Sequence, residues 1–575
     1  MLRNVAVVFF ILTVASSFAA AKEGPPLRIV CFVPADRTPC PHYAERLDRV
    51  MTEVQRFYRK GMSAAGHGPM TFGLERNDQG RLRVYLVHGR LAMQEYGRND
   101  GDKVREEVKT ALHAQGIDID RETIVIFQVL LKWADGKATE VGPYCGGGNH
   151  LSGTCYVYDD ERLDARLLAS KEPGGYYGGP CSIGEFNSHY IGGVAHELGH
   201  ALGLPHDCER EADRARARGI SLMGGGNHTY GQELRGEGPG TFLTPASALP
   251  LVACRCFAGL QKDAEKQTTC MLDDCDAVFK DGKIVISGRV RAEPPAYGIA
   301  AYNDAVEVPG DYDAVSWVCK TEDNGRFQLK IGELKPGKFQ LRLRVCHVNG
   351  ASNVFDYDYS VGADKKPDLS AFRSAFALPE AMRAFAGGDK ERVRSLVESL
   401  KRRFPRDAEI QQKAAHLVSL LDPPSPLSLR DIPADRKSVA VSAVEFRTAT
   451  VGWGQPLRDQ VLVELPRDCF LQVGGRFYKS GLFAHAPSRY EIELKRGWKR
   501  LQTGYGLQDG HAGSVVFVIQ ADGRELFRSK LVNDQTLRSV GVDVTGVERL
   551  NLTVEDGGDG GQNDWGIWIE PRLER

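Results

Sequence analysis

Two histidines and a glutamate within one short stretch, His196, Glu197 and His200, have the types and spacing of a metal site. On a helix, His196 and His200 leave the same face and can bind a single zinc ion. Glu197 lies about 100° around the helix, so it can reach a water at the metal without being a ligand. Gly203 can end the helix in a left-handed turn, which lets His206 return as a third ligand. Three neutral histidines leave the fourth position of zinc open, as in catalytic sites. The third histidine and the glycine argue against the alternative, a chance H-E-x-x-H on a solvated helix.

The helix that would carry these residues also has a face suited to a core. Apolar residues recur there at helical spacing, away from the two histidines, at Ile191, Val194, Ala195, Leu198 and Leu202. Upstream, residues 27–250 alternate the patterns of strands and helices, with continuous apolar strands at 29–33 and 123–131. We therefore expect an α/β domain with a mixed sheet, finished by the helix that bears the histidines.

A glycine-rich turn with a single methionine, Met223, follows this helix. Together, the motif H-E-x-x-H-x-x-G-x-x-H at 196–206 and the turn at 221–226 resemble the metzincin superfamily of zinc endopeptidases. Asp207, directly after the third histidine, is similar to the reprolysin (adamalysin) branch. The resemblance implies that Met223 forms a floor beneath the zinc ligands and that Asp207 supports the site. Astacin-like enzymes have a tyrosine where this chain has Gly225, so no tyrosine switch is expected.

Length, charge and the first residues limit the class of protein. At 575 residues the chain should form about three or four domains. The formal charge of −1 argues against a nucleic-acid partner and against an anionic membrane surface. Residues 1–21 have the charged start, short apolar run and small-residue end of a secretory signal. The alternative is an uncleaved N-terminal anchor, but the run is short for a bilayer and no later stretch approaches that length. We expect a secreted protein without a stable membrane span.

The thirteen cysteines fit an exported protein. Ten of them precede residue 280, so the N-terminal part is predicted to carry disulfides. Since the count is odd, at least one thiol stays unpaired, and Cys469 is the candidate because it is alone in its domain. Two further options concern particular cysteines: a bridge between Cys319 and Cys346, and a second zinc site at Cys254, Cys256, Cys270 and Cys275. Disulfides are the preferred interpretation of that last group in an oxidising compartment.

The middle of the chain has no pattern that indicates chemistry. A cysteine-rich connector at 251–279 is followed by alternating strands and turn signals that predict an immunoglobulin-like β-sandwich at 280–362. This sandwich is interpreted as a spacer. Residues 366–421 turn helical, and the proline-rich stretch at 422–429 predicts a stiff linker and a domain boundary.

Residues 430–575 return to strand patterns. Two stretches, Gly481 to Ser488 and Val542 to Trp565, resemble the NPCBM family of carbohydrate-binding modules, which are galactose-binding-like β jelly rolls. Aromatic rings stack on sugars and carboxylates bind their hydroxyls, so the candidate sugar-binding residues are Trp453, His485, Asp564 and Trp565. His485 and Trp565 could instead be core and turn residues of the family. Calcium at Asp556 or Asp559 would rest only on oxygen-ligand chemistry.

These features favour a secreted zinc endopeptidase that acts on protein or glycoprotein substrates. His196, His200 and His206 are the expected zinc ligands, Glu197 the general base, and Met223, Asp207 and Gly203 the support of the site. The C-terminal module would bind carbohydrate and hold the enzyme on glycans. The alternative is a carbohydrate-binding adhesin with a non-catalytic metzincin-like domain, but the intact Glu197 argues against it. A glycoside hydrolase would need paired carboxylates in a sugar cleft, and no motif identifies them.

Overall fold

The computed structural model describes residues 23–464, 468–494 and 497–575, and the chain divides into two compact units. Unit 1 contains the residues up to Leu272 and Val278–Asp368, and unit 2 contains Asp273–Ala277 and Leu369–Arg575. The predicted signal at 1–21 lies outside the described residues. Within the described ranges, no helix combines the length and apolarity that a membrane crossing requires.

The first part of unit 1 alternates strands and helices, in agreement with the pattern of the sequence. Its elements are β1 Glu23–Val33, α1 Tyr43–Ala64, β2 Thr71–Leu74, β3 Val84–His88, α2 Gly101–His113, β4 Thr123–Gln128, β5 Leu131–Ala134, β6 Lys137–Glu140, β7 Cys145–Gly148, β8 Gly153–Tyr158, β9 Pro173–Tyr176, β10 Pro180–Ser182, α3 Ile183–Ala201, α4 Glu211–Ala215, β11 Ile220–Ser221, α5 Gln232–Arg235, β12 Thr241–Phe242, α6 Pro245–Leu251 and α7 Arg255–Ala258.

The main sheet of this part is mixed, as predicted. Its order is β2-β1-β4-β8-β7, and β3 also pairs with β1. Strands β1, β2, β3, β4 and β8 are parallel, whereas the edge strand β7 runs antiparallel to β8. β4 is buried at every position because helices cover the sheet, which explains its unbroken apolar sequence. α3 packs against β7 and β8, so the edge of the sheet lies beside the helix that bears the histidines.

The second part of unit 1 consists of two antiparallel sheets. Its strands are β13 Thr269–Lys280, β14 Lys283–Glu293, β15 Ala296–Ala305, β16 Val315–Lys320, β17 Arg326–Ile331, β18 Gly337–His347, β19 Ser352–Val361 and β20 Pro367–Asp368. One sheet has the order β13-β14-β17 and the other β16-β15-β18-β19-β20. Buried positions alternate with exposed ones in β17 and with half-buried ones in β18, as expected for a sheet with one buried face.

Unit 2 begins with helices and continues as a β-sandwich. Its elements are α8 Ser370–Ala377, α9 Pro379–Ala386, α10 Lys390–Arg403, α11 Ala408–Ser419, β21 Ser438–Ala440, β22 Thr448–Thr450, β23 Leu457–Arg458, β24 Leu471–Val473, β25 Arg476–Tyr478, β26 Gly481–His485, β27 Ser488–Glu493, β28 Arg500–Leu507, β29 Val515–Ala521, β30 Arg524–Arg528, β31 Arg538–Asp543, β32 Arg549–Asp556 and β33 Trp565–Glu574. The two main sheets have the orders β23-β26-β33-β28-β31 and β22-β27-β32-β29-β30. The helices share a core with the sandwich, because Cys469 and Phe470 are buried among their apolar side chains.

The predicted disulfides are absent. All thirteen cysteines lie among the described residues, and no disulfide bond joins any two of them there. Cys31 and Cys155 are fully buried in central strands of the main sheet, where a thiol packs as a small apolar side chain. The pairing of Cys319 with Cys346 was wrong for the same reason, since Cys346 is buried in the core beneath α6. Within the described residues, Cys254, Cys256, Cys270 and Cys275 do not gather as a metal-binding group.

Candidate metal centre and active site

Helix α3 is built to hold its histidines in one place. It begins with a capping box, in which Ser182 Oγ accepts from the Glu185 backbone N–H at 3.1 Å and Glu185 Oε2 accepts from the Ser182 N–H at 2.8 Å. The predicted apolar face is buried in the core of unit 1. The helix ends at Ala201, and Gly203 follows with a φ of +82°, the left-handed conformation that glycine adopts without strain.

The three histidines converge on one point. His200 Nε2 lies 3.1 Å from His196 Nε2 and 3.0 Å from His206 Nε2. Among the described residues, these three side chains form the group that could hold a metal ion, with ligand atoms within 4.8 Å of one another. Three nitrogens bound tetrahedrally to zinc lie about 3.3 Å apart, so the donor set fits zinc in type and spacing.

The opposite nitrogen of each ring fixes the tautomer. The Nδ1 atoms of His196, His200 and His206 donate to the carbonyl oxygens of Leu222, Leu204 and Gly310 at 2.7, 2.9 and 2.7 Å. Since a carbonyl oxygen can only accept, each Nδ1 carries the proton and each Nε2 keeps its lone pair for a ligand. Burial lowers the pKa of all three rings, to about 3 for His196, so they are neutral at pH 7.

Glu197 lies beside this cluster and under the edge strand. Burial raises the pKa of its carboxyl group to about 7, while a hydrogen bond from the backbone N–H of Gly146 opposes that rise. A Cβ atom at Gly146 would lie 1.8 Å from the Glu197 carbonyl oxygen. Only glycine therefore lets β7 approach the helix closely enough to donate this hydrogen bond.

Asp207, which directly follows His206, forms hydrogen bonds with three separate segments of unit 1. Its fully buried carboxylate accepts hydrogen bonds from Ser221 Oγ at 2.5 Å, from the Thr244 hydroxyl, from Ser247 Oγ at 3.3 Å and from Ser316 Oγ at 3.1 Å. Burial raises its pKa to about 6, and the four hydroxyl groups act in the opposite direction. These bonds join the methionine turn, helix α6 and strand β16 at one carboxylate.

Met223 is fully buried against the same helix. A Cβ atom at Gly199 would meet Met223 Sδ at 2.5 Å, so the missing side chain of the glycine leaves the space that the thioether fills. The neighbouring Leu222 supplies the carbonyl oxygen that orients His196. Met223 and Asp207 are thus both fully buried near the histidine cluster, and their supporting roles stay a prediction.

The β-sandwich of unit 1 contributes directly to the site. The loop at 306–314, between β15 and β16, supplies the Gly310 carbonyl oxygen that holds His206. The half-exposed ring of Tyr312 stacks on the His206 imidazole, with centroids 3.8 Å apart and planes at 27°. The interpretation of this segment as a mere spacer was therefore wrong. Sequence reasoning missed this contribution because Gly310 and Tyr312 lie about a hundred positions from His206, and no local pattern links them to it.

We expect Tyr312→Ala to weaken zinc binding about tenfold, because partners that orient a ligand typically contribute ten- to a hundredfold to metal affinity. Competition with a chromophoric chelator measures this affinity directly. Tyr312→Phe keeps the stacked ring and should bind zinc as the wild type does. Equal affinities for the alanine and wild-type proteins would show that the ring does not position His206.

The predicted sugar-binding residues of unit 2 also lie together. The ring centroid of Trp453 is 5.5 Å from Trp565 and 5.9 Å from His485, and Trp453 is 48% exposed. Asp564 is fully buried next to Trp565 in the chain. Its Oδ1 accepts from the Ser514 backbone N–H at 2.9 Å, and its Oδ2 has no hydrogen-bond partner among the described residues. The sequence missed His511, whose ring stacks on Trp565 at 3.9 Å, since it lies in a loop without a distinguishing pattern.

The acidic residues considered for calcium have other partners. Asp556 accepts from the Gly558 backbone N–H at 2.8 Å, and Asp559 accepts from Ser514 Oγ at 2.7 Å. They are not part of a group of three or more metal-ligating side chains within the described part of the chain. Their hydrogen bonds instead stabilise the loop that leads into β33.

Comparisons with known proteins find a family match for the C-terminal domain and similar solved structures for a larger part of the chain. Residues 437–574 match the model of the NPCBM/NEW2 domain family, so the C-terminal β-sandwich is an NPCBM domain. The structure of wild-type OgpA from Akkermansia muciniphila is 26% identical, with a TM-score of 0.52, over 60% of this chain and 96% of OgpA. Catalytically inactive OgpA in complex with an O-glycopeptide (glycodrosocin) substrate is 25% identical, with a TM-score of 0.52, over 62% and 98% of the two chains. Among curated proteins, no sequence matches this chain.

Proposed function

We propose that this chain is a secreted zinc endopeptidase of the metzincin type that hydrolyses peptide bonds in O-glycosylated substrates. The observation that carries the proposal is the convergence of the Nε2 atoms of three neutral imidazole rings beside the half-buried Glu197. The likeness to OgpA, whose inactive form was solved with an O-glycopeptide substrate, supports the choice of substrate class. Export directed by residues 1–21 belongs to the same proposal.

The roles of the residues follow from their chemistry. Zinc held by the three histidines would supply Lewis-acid chemistry, polarising the scissile carbonyl group and activating water for attack. Glu197 accepts the proton of the attacking water at a carboxylate oxygen and delivers it to the nitrogen of the leaving amine. A pKa of about 7 suits a group that first takes and then gives a proton near neutral pH. The Gly146 N–H holds this carboxylate in position.

Strand β7 is suited to hold the substrate backbone. It is the last strand of the sheet, it carries three consecutive glycines, and Gly147 and Gly148 are exposed. An extended peptide can pair with such an edge through main-chain hydrogen bonds. A peptide bound there would lie next to Glu197, because Gly146 belongs to this edge strand and its backbone N–H donates to the Glu197 carboxylate.

The test of the substrate class uses one peptide in two forms, with and without a single O-linked sugar on serine or threonine. Mass spectrometry of the digests locates the cleaved bond. We expect cleavage beside the glycosylated residue and at least tenfold slower cleavage of the unmodified peptide. Equal rates would reject O-glycopeptide specificity, whereas binding without cleavage of either peptide would favour the adhesin.

The NPCBM domain is proposed to hold the enzyme on glycans through the face that carries Trp453. Trp453→Ala should weaken binding to a galactose-terminated polysaccharide about tenfold, because stacking and burial of an indole ring contribute somewhat more than 1 kcal/mol. Leu537→Ala is the matched control, since Leu537 is an exposed apolar residue of the same domain that directly precedes β31. Affinity electrophoresis measures the difference, and unchanged retardation of the tryptophan variant would assign the face another role.

A further inference from the structure

A cavity of about 380 Å³ adjoins the metal centre within unit 1. One wall is the backbone of Gly146–Gly148 in β7, and a second is His200 with the turn at Gly203–Pro205. The β-sandwich closes the remaining side with Tyr302, Arg342, Arg344 and Val354. Its volume is in the range that holds a small ligand or one substituent of a larger substrate.

The charged side chains that line this cavity are both arginines. The positive charge of Arg342 is compensated, since its guanidinium group forms an ion pair with Asp311 and lies 4.0 Å from Asp304. Arg344 has no such partner: within the described residues, no carboxylate lies at ion-pairing distance from its guanidinium group. The cavity therefore has one unpaired positive charge.

The guanidinium group of Arg344 is held in a fixed orientation. Its Nη1 donates to the Gly203 carbonyl oxygen at 2.7 Å, and its Nε donates to Ser352 Oγ at 3.0 Å. The remaining nitrogen, Nη2, donates to no group among the described residues. A planar group fixed at two of its three nitrogens presents the third with little loss of entropy when a ligand binds.

We propose that this cavity is a subsite for a carboxylate group of the substrate, bound by Arg344. The inference rests on the proposed function, because it takes the substrate to lie along β7. A half-buried guanidinium group without a counter-ion gains from an anion that enters its site, and arginine matches the geometry of a carboxylate. The carboxylate can belong to an aspartate or glutamate of the peptide or to an acidic sugar of its glycan.

The experiment compares matched substrates that differ only in this charge. One pair is an O-glycopeptide with and without a terminal sialic acid, and the other is the neutral glycopeptide with aspartate or asparagine at the position across the cleaved bond from the glycosylated residue. For the wild type we expect kcat/KM about tenfold higher for the acidic member of one pair, as for a charge-assisted hydrogen bond. The pair that shows the preference identifies the source of the carboxylate.

Variants at Arg344 test the assignment. Arg344→Gln should bring the ratio of acidic to neutral substrate close to one, and Arg344→Lys should retain part of the preference. Arg326→Gln, an exposed arginine of the same β-sandwich, should keep the wild-type ratio. Both kcat/KM values of a ratio are measured on the same protein preparation, so a smaller fraction of folded enzyme does not change the ratio. A wild type without preference in either pair, or a preference that survives Arg344→Gln, would overturn the proposal.

Binding to a non-cleaving protein separates this inference from the proposed function. Calorimetry with Glu197→Gln protein gives the affinities of the same four ligands. A preference for a carboxylate that disappears with the additional Arg344→Gln change supports the subsite even if no peptide is cleaved. Equal affinities for acidic and neutral ligands would reject the subsite even if the chain is a peptidase.

Discussion

Glu197→Gln should lower kcat for peptide hydrolysis by about a hundredfold to ten-thousandfold, the usual contribution of a general acid–base group. The amide cannot accept a proton from water at neutral pH. It keeps the shape of the side chain and an oxygen that can accept the hydrogen bond from Gly146. Zinc content and KM should therefore stay close to the wild-type values.

Glu185→Gln is the matched control for this change. Glu185 lies in the first turn of the same helix, and glutamine also satisfies a capping box with Ser182. The control should retain wild-type activity. A Glu197→Gln enzyme within tenfold of the wild-type kcat would assign the proton transfer to another group.

Asp207→Ala should lower the free energy of unfolding by about 3 kcal/mol or more, because each buried donor left without a partner costs about 1–3 kcal/mol. Four hydroxyl groups lose their common acceptor, on Ser221, Thr244, Ser247 and Ser316. The change also removes the bond that joins the methionine turn to the β-sandwich, so zinc affinity should fall as well. Urea denaturation, followed by tryptophan fluorescence with and without zinc, measures both effects.

Asp207→Asn separates the loss of charge from the loss of an acceptor. Asparagine keeps one oxygen for two of the hydroxyl groups, so its loss of stability should be smaller than that of alanine. An alanine variant within about 0.5 kcal/mol of the wild type, the usual spread for neutral surface changes, would contradict the role given to Asp207.

The sequence predicted the part of the site that one helix and its turn encode. The spacing of His196, Glu197 and His200 fixes their directions once the segment is helical, and Gly203 marks where the chain must turn. The positions of His206 and Asp207 follow from that turn. The NPCBM domain was also predicted, because its signature stretches lie within one continuous segment.

The parts that the sequence did not predict depend on contacts between distant segments. Gly310 and Tyr312 contact His206 because the start of β16 lies beside the segment after this histidine. There the backbones of Cys208 and Val315 form a β-bridge. The cysteines were misjudged because composition indicates a compartment and not a distance between thiols. Glu197 and Gly146 lie about fifty positions apart, so their hydrogen bond could not be predicted from local spacing either.

The central claim is that hydrolysis depends on a metal held by His196, His200 and His206. Its most direct test is cleavage of the O-glycopeptide by the full chain after chelation, after dialysis, and after addition of one equivalent of zinc. We predict that chelated protein loses activity and that one equivalent of zinc restores it to the wild type but not to a His200→Ala variant. Full activity in protein shown by elemental analysis to be free of metal would contradict the account.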